Sequence, residues 1–187
     1  GLALAWLHYA DLCLLSLMIR SVVLSRFSIC VSSYKDAEYL PACIDSVLHQ
    51  SFADFELIII DDGSPDNTAS ILKDYAERDS RVKPIIKLHN EGVHLGRKSA
   101  VEQCSGDLII LLDSDDELEP GFLSELNDYS LAHPADIYHF GIKVVNAGVS
   151  EQERIEFESY VNRDIEPLNG SDICNAAFSS EAGYRQD

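Results

Sequence analysis

Three aspartates stand close together directly after a continuous apolar stretch. Residues 108–112 are all leucine or isoleucine, and Asp113, Asp115 and Asp116 follow at once. Carboxylates this close repel one another unless a cation lies among them. Since oxygen ligands suit a hard divalent ion, the sequence predicts a metal site here, with these three aspartates as the candidate ligands. The simpler alternative is a solvated turn at the end of a strand.

Two further side chains that could bind a nucleotide also follow apolar stretches. Tyr34 comes soon after residues 27–31 and offers a flat ring for stacking on a base. Asp62 follows residues 57–60 and can accept a hydrogen bond from a ring N–H. Arg97 supplies a cation that could balance phosphates. The competing interpretations are a loop aromatic, a turn aspartate and a structural ion pair, respectively.

The elements that must position these residues alternate along the chain. Continuous apolar stretches are typical of strands buried on both faces. They predict strands at 27–31, 57–60, 82–88 and 108–112, and an alternating pattern predicts a fifth strand at 136–145. Helical periodicity predicts helices from residue 38 to residue 48, from Ser64 with Pro65 at its first turn, over 97–104 and from Phe122.

This alternation predicts an α/β fold with a mostly parallel, Rossmann-like sheet and helices on both faces. In such sheets, ligands bind beyond the carboxyl ends of the strands. The loops that follow the first, second and fourth strands should therefore line one crevice.

Composition and charge narrow the range of partners. The formal net charge of −18 argues against nucleic acid, which needs a basic face. The five cysteines include no C-x-x-C pair, so we expect reduced thiols in a cytoplasmic protein rather than a zinc site or a disulfide framework. Cys30 and Cys43 fall at positions predicted to be buried.

The chain divides into three regions. Residues 1–24 are leucine-rich, with Asp11 and Arg20 as the charged residues. We expect a helix packed on the domain or on a second subunit of a homodimer; peripheral association with the inner face of a membrane, or an extension outside the native fold, are the alternatives. Residues 25–149 form the predicted α/β core. Residues 150–187, where the pattern weakens, are expected to begin a further region of a longer protein.

Five segments in order resemble family 2 glycosyltransferases of the GT-A fold. Each motif alone is weak, but their order and spacing across roughly residues 27–123 are specific. The segments are Ser32-Ser33-Tyr34-Lys35, Ser46-Val47-Leu48-His49-Gln50-Ser51-Phe52, Ile60-Asp61-Asp62-Gly63-Ser64-Pro65-Asp66, Asn90-Glu91-Gly92 with Gly96-Arg97-Lys98, and Gly106-Asp107-Leu108-Ile109 with Leu112-Asp113-Ser114-Asp115-Asp116.

The resemblance implies transfer of a sugar from a nucleotide-diphosphate donor, UDP-sugar first, usually with inversion. It implies Mn²⁺ or Mg²⁺ as the cofactor and a saccharide or glycoconjugate acceptor in surface polysaccharide synthesis. By analogy, the nucleotide-binding residues are Ser32, Tyr34, Asp62, Arg97 and Asp113, and the metal ligands are Asp113 and Asp115. Residues 25–149 are then the nucleotide-sugar-binding core, residues 150–187 begin the acceptor-side region, and Asp116 is the weakest of the three candidate metal ligands. No catalytic base is identified.

Three residues depart from the family pattern. Lys35 and Lys98 stand where the family usually has asparagine, and Ser32 replaces a common proline. Two other functions stay open: a nucleotidyltransferase and a non-catalytic nucleotide-binding module. A nucleotidyltransferase would be expected to have a glycine-rich loop after the first strand. Residues 32–37, which form that loop here, contain no glycine.

Overall fold

The computed structural model describes residues 25–143, 145, 150–152 and 154–155. The chain divides into two compact units, Gly1–Asp128 and Tyr129–Asp187. The extension 1–24 lies outside the described residues, and so does most of the region 150–187. Among the described residues, no helix is long and apolar enough to cross a membrane.

The first unit is built on a parallel sheet. Its described strands are β1 (Phe27–Ser33), β2 (Phe55–Asp61), β3 (Val82–Ile86) and β4 (Leu108–Asp113), in the order β3-β2-β1-β4. All three pairings are parallel, so the carboxyl ends of the strands share one edge. In the register, Ser33 stands opposite Asp61, and Ser32 stands opposite Asp113. The first, second and fourth loops therefore meet, as the sequence predicts.

Helices cover both faces of the sheet. They are α1 (Leu40–Leu48), α2 (Thr68–Arg78), α3 (Val93–Val101) and α4 (Phe122–Ala132). The larger core packs α1 and α2 on one face around fully buried residues such as Ile29, Ile44 and Leu72. Each such side chain contributes roughly 1.5–3 kcal/mol relative to an exposed one. Ala100 of α3 packs on the other face in a smaller core. The predicted α/β architecture is confirmed.

A buried carboxylate ties the amino ends of the strands together. Glu56, near the start of β2, is 2% exposed. It accepts hydrogen bonds from the hydroxyl of Ser28 on β1 (2.6 Å) and from the backbone N–H of Ser105 (2.6 Å). Its other oxygen pairs with the ammonium of Lys83 on β3. This network lies at the amino ends of the strands, opposite to the predicted site.

The predicted cap of the second helix is wrong. Helix α2 begins at Thr68 rather than at Ser64. The N–H of Ser64 donates to the carboxylate of Asp61 at 2.9 Å, and its hydroxyl accepts from the N–H of Lys35 at 3.1 Å. Asp66 performs the local capping instead, since its carboxylate accepts from the N–H and the hydroxyl of Thr68. Ser64 is therefore engaged in holding two loops together.

Two further predicted boundaries are wrong. Helix α3 begins at Val93, four residues before the predicted start, after Gly92 with φ of 91°. The predicted fifth strand is absent, because the described residues of 136–145 form no strand and Ile137, Phe140 and Ile142 are 41–60% exposed. Alternating apolar residues show only that one face could be buried. A strand also needs a neighbour to pair with, and these residues join no described sheet.

Candidate functional site

A crevice of about 360 Å³ opens at the carboxyl ends of β1, β2 and β4. This volume falls at the lower end of the range for ligand pockets. The predicted site residues Ser32, Tyr34, Asp62, Arg97, Asp113 and Asp115 all line it. Its remaining lining residues are Ser33, Asp36, Asn90, Val93 and Ser114. The ends of three strands, the loops that follow them and helix α3 therefore deliver the candidate side chains to one place.

The predicted metal ligands lie at the end of β4. The carboxylate of Asp113 forms an ion pair with the guanidinium of Arg97 on α3. Asp115 is exposed, and it has no hydrogen-bond or ion-pair partner within the part of the chain that the structure describes. Arg97 thus neutralises one of the two carboxylates and leaves the other without a counter-charge.

The acidic cluster raises the pKa of its neighbours. Burial, followed by the charges of Asp115 and Asp113, raises the pKa of Asp116 above its ordinary value. Burial, with the charges of this cluster, also raises the pKa of the Cys43 thiol to about 12. Asp113, Asp115 and Asp116 place several negative charges at the end of β4, and such a cluster favours a bound cation.

The residues at the end of β4 fit a divalent ion whose coordination shell is completed by waters and by a bound substrate. Within residues 25–143 and the short described stretches after them, no three His, Cys, Asp or Glu side chains converge as a metal site. Mg²⁺, however, is commonly held by one or two carboxylates together with waters and substrate phosphates. Asp113 and Asp115 on one crevice wall provide those two carboxylates.

The loop after β1 is held by Asp36. Its carboxylate accepts hydrogen bonds from the N–H of Tyr34 at 3.0 Å and from the hydroxyl of Ser114 at 2.5 Å. The ring of Tyr34 is 39% exposed, and the ammonium of Lys35 lies 4.9 Å from its centroid. Lys35 has φ of 66°, a region that asparagine tolerates better than lysine. This positive φ explains why asparagine is common at the position that Lys35 occupies here.

Asp62 is buried behind the crevice and organises the loop that leads into α3. It is 2% exposed, and its Oδ2 accepts from the backbone N–H groups of Glu91 at 3.0 Å and Gly92 at 2.7 Å. The ammonium of Lys87 lies 3.2 Å from Oδ1. That contact is an ion pair without hydrogen-bond alignment, because Oδ1 has no hydrogen-bond partner among the described residues.

Lys87 is held charged by its acidic neighbours. Its side chain is 13% exposed, and burial by itself lowers the pKa of a lysine. The carboxylates of Glu91 and Asp62 outweigh burial and raise the pKa of Lys87. Sequence patterns gave no signal for this residue, since only the folded loops bring it beneath Asp62.

The two serines at the end of β1 have different surroundings. A Cβ on Gly96 would lie 2.4 Å from the hydroxyl oxygen of Ser32, so the glycine lets α3 approach β1. Ser33 is 1% exposed, lines the crevice and has a hydroxyl without a partner among the described residues. Ser33 belongs to the matched segment Ser32-Ser33-Tyr34-Lys35, but the resemblance gives it no role.

Two residues close to Arg97 in the sequence lie outside the crevice lining. His94 is exposed on α3 and does not line it. Lys98 pairs with Glu102, one turn further along α3, and does not line it either. Of the two cations that the motif Gly96-Arg97-Lys98 offers, Arg97 is therefore the one at the crevice.

Comparison with known proteins identifies the family. Residues 28–187 match Glycosyl transferase family 2. The glycosyltransferase EpsJ of Bacillus subtilis (strain 168) is 32% identical over 114 residues, which are 61% of this chain and 33% of EpsJ. Chondroitin synthase of Escherichia coli is 39% identical over 105 residues, which are 54% of this chain and 15% of that protein.

A solved structure shows the same likeness. The structure of S. aureus TarS 1–349 in complex with UDP superposes with a TM-score of 0.62 at 28% identity, covering 67% of this chain and 38% of that one. This chain spans a third or less of the length of the two curated relatives. Because the family match extends over residues 28–187, the chain belongs to glycosyltransferase family 2.

Proposed function

We propose that the protein transfers a sugar from a nucleotide-diphosphate donor, with a UDP-sugar as the first candidate, to a saccharide or glycoconjugate acceptor. One observation carries the proposal. Tyr34, Asp62, Arg97, Asp113 and Asp115, from four separate segments of the chain, line one crevice in a chain of this family. The TarS structures in complex with UDP and UDP-GlcNAc support the donor class. The likeness to chondroitin synthase supports a saccharide acceptor.

The donor is bound by groups of three kinds. The exposed ring of Tyr34 stacks on the base, and the carboxylate of Asp62 accepts a hydrogen bond from a ring N–H. The guanidinium of Arg97 donates to the diphosphate, for which its planar fork is suited. Each group thus meets the part of the donor that matches its chemistry.

Asp113 and Asp115 would hold Mn²⁺ or Mg²⁺, and the chemistry supplied there is Lewis-acid stabilisation of the departing diphosphate. When the donor enters, Arg97 exchanges the carboxylate of Asp113 for phosphate oxygens. The positive charge of Arg97 then lies where negative charge develops on the leaving group, which lowers the barrier to transfer.

Inversion at the sugar requires a base that deprotonates the acceptor hydroxyl. No residue that lines the crevice is assigned this role. We place this base, and the acceptor contacts, outside the donor crevice. Release of UDP from UDP-GlcNAc by the full-length protein, with an oligosaccharide acceptor present, separates an enzyme from a non-catalytic nucleotide-binding module.

Titration calorimetry with UDP tests the donor site, with and without Mn²⁺. We expect Mn²⁺ to increase the affinity of the wild type for UDP, and Asp115→Ala to remove that increase. Asp107→Ala is the matched control, because Asp107 stands just before the other end of β4 and pairs with Arg26. If the wild type shows no metal-dependent affinity for UDP or GDP, the proposal is wrong.

A further inference from the structure

Two cysteine thiols lie against each other in the smaller core of the first unit. The sulfur of Cys30, on β1, is 3.2 Å from the sulfur of Cys104, which follows α3, and the two thiols are oriented as a hydrogen-bonded pair. Both are free thiols. Cys30 is part of the smaller core, and Cys104 packs against it. Neither lines the crevice, so the proposed sugar transfer makes no use of them.

The backbone holds each cysteine in place. Cys30 lies in the middle of β1, which pairs with β2 on one side and with β4 on the other. Cys104 lies in the turn that closes α3, where its N–H donates to the carbonyl of Val101 at 3.1 Å. The next residue, Ser105, donates to the buried carboxylate of Glu56 through its N–H and its hydroxyl. The close approach of the two sulfurs is therefore imposed by the fold.

The separation of the two sulfurs is short enough for a disulfide to form. An S–S bond is about 2.05 Å long, so sulfurs that are 3.2 Å apart must approach by about 1.2 Å. Small rotations about the Cα–Cβ bonds of the two side chains can supply this movement. Cys30 is 2% exposed, whereas Cys104 is partly exposed. An oxidant that arrives from solvent therefore meets Cys104 first.

We propose that Cys30 and Cys104 are an oxidative modification site, at which a small disulfide such as oxidised glutathione converts the two thiols into an internal disulfide. In the first step, the sulfur of Cys104 loses its proton and attacks one sulfur of the oxidant, whose other half leaves as a thiolate and takes up a proton. In the second step, the sulfur of Cys30 loses its proton, attacks Cys104 in the mixed disulfide and displaces the second half. Two protein thiols are oxidised, and one disulfide is reduced to two thiols.

The surroundings of the two sulfurs set the order of these steps. Burial, followed by the hydrogen bond and the charge of Cys104, raises the pKa of the Cys30 thiol. Because the thiolate is the nucleophile, Cys30 attacks only a sulfur that is already in contact with it, and ring closure takes on the order of minutes to hours. The finished bond closes a loop from residue 30 to residue 104. Such a loop constrains the unfolded chain, so we expect the oxidised protein to resist urea better.

A glutathione titration of the full chain tests the proposal. The reduced protein is incubated for hours under native conditions at rising ratios of oxidised to reduced glutathione. Exchange is stopped with acid, free thiols are alkylated in denaturant, and the protein is digested without reduction for mass spectrometry. We expect a peptide in which Cys30 is joined to Cys104 and which dithiothreitol separates. Cys43 is the internal control and should be recovered as a thiol, because it packs in the larger core and its thiol donates to the backbone carbonyl of Asp113.

Two variants separate the two steps. Cys30→Ala leaves Cys104 without its neighbour, so we expect Cys104 to stop at the mixed disulfide and to gain the mass of one glutathione. Cys104→Ala removes the partly exposed thiol, so Cys30 should stay reduced. The oxidised wild type should unfold at a higher urea midpoint than the reduced wild type, and Cys104→Ala should show no such shift.

Any of three results with the wild type overturns the proposal, and these arms need no variant to fold. Recovery of both cysteines as thiols at every glutathione ratio would show that they are packing residues only. A wild type that stops at the mixed disulfide on Cys104 would show that Cys30 cannot reach it. A lower urea midpoint for the oxidised protein would show that the bond is incompatible with the fold.

Discussion

The guanidinium of Arg97, on α3, forms an ion pair with the carboxylate of Asp113, at the end of β4. Both side chains are partly exposed, at 37% and 54%. Ion pairs of this kind contribute only about 0–1 kcal/mol to stability. The pair is thus weak enough for a diphosphate and a metal ion to separate its members.

Replacement of Arg97 should therefore affect binding more than stability. We expect Arg97→Ala to lower the affinity for UDP in Mn²⁺ about tenfold or more, the effect of losing a charged hydrogen bond. The free energy of unfolding should change by less than about 1 kcal/mol. Calorimetry and urea unfolding measure the two effects. Lys98→Ala is the control, because Lys98 pairs with Glu102 and lies outside the crevice lining. If both variants lose UDP affinity equally, the loss of a positive charge on α3, rather than of a specific contact by Arg97, is responsible.

Glu56 should make the free energy of unfolding depend on pH. Burial by itself raises the pKa of this carboxyl, but hydrogen bonds from Lys83, Ser28 and Ser105 outweigh burial and lower the pKa from 4.5 to about 2. The folded state then holds the proton less tightly than the unfolded state. The resulting stability is present above pH 4.5 and is lost as the pH falls towards 2. Its size is up to about 3 kcal/mol.

Urea unfolding of Glu56→Gln against wild type at about pH 7 and about pH 3 measures this contribution. We expect the variant to be less stable at the higher pH and the difference to shrink at the lower one. Glu77→Gln, at an exposed position of α2, should show no such difference. A gap between Glu56→Gln and wild type that does not change with pH would contradict the assignment.

Gly63 should tolerate no side chain. It has φ of 73°, and a Cβ there would lie 2.6 Å from the backbone carbonyl carbon of His89 and 2.9 Å from the N of Asn90. Gly121 has φ of 88° with open space around the Cβ position. Gly121→Ala therefore isolates backbone strain, about 1–2 kcal/mol. We expect Gly63→Ala to lower the free energy of unfolding by about 2 kcal/mol more than Gly121→Ala does, as measured with urea, because backbone atoms must move. Equal losses in the two variants would show that the close approach at Gly63 is relieved at no cost.

Lys87 should stabilise the fold through Asp62. Removal of one partner from a buried pair leaves an uncompensated charge, which costs about 3 kcal/mol or more. We expect Lys87→Met to lose about this amount in urea unfolding, whereas Lys73→Met, at an exposed position of α2, should be nearly neutral. UDP affinity should fall as well, because the carboxylate of Asp62 loses the ammonium that helps to hold it in place. A stable Lys87→Met variant with wild-type affinity would show that this ion pair is dispensable.

Much of the crevice follows from local patterns. Continuous apolar stretches must be buried, and strands buried on both faces lie in the middle of a parallel sheet. Because parallel strands end at one edge, Tyr34, Asp62 and Asp113 could be placed together without any structure. Arg97 also lines the crevice, although its helix begins four residues earlier than the periodicity indicates.

The sequence alone therefore determined that the carboxyl ends of the strands share one edge and which types of side chain lie there. It could do so because hydrophobic patterning reports burial within each single segment. The tertiary structure determined which residues form hydrogen bonds and ion pairs with one another. Ser64 bridges two loops instead of capping α2, the stretch 136–145 forms no strand in its described residues, and Lys87 lies beneath Asp62. These relationships depend on hydrogen bonds and ion pairs between segments far apart in the chain. No local pattern encodes such pairings, because each residue type is compatible with several partners until the chain packs.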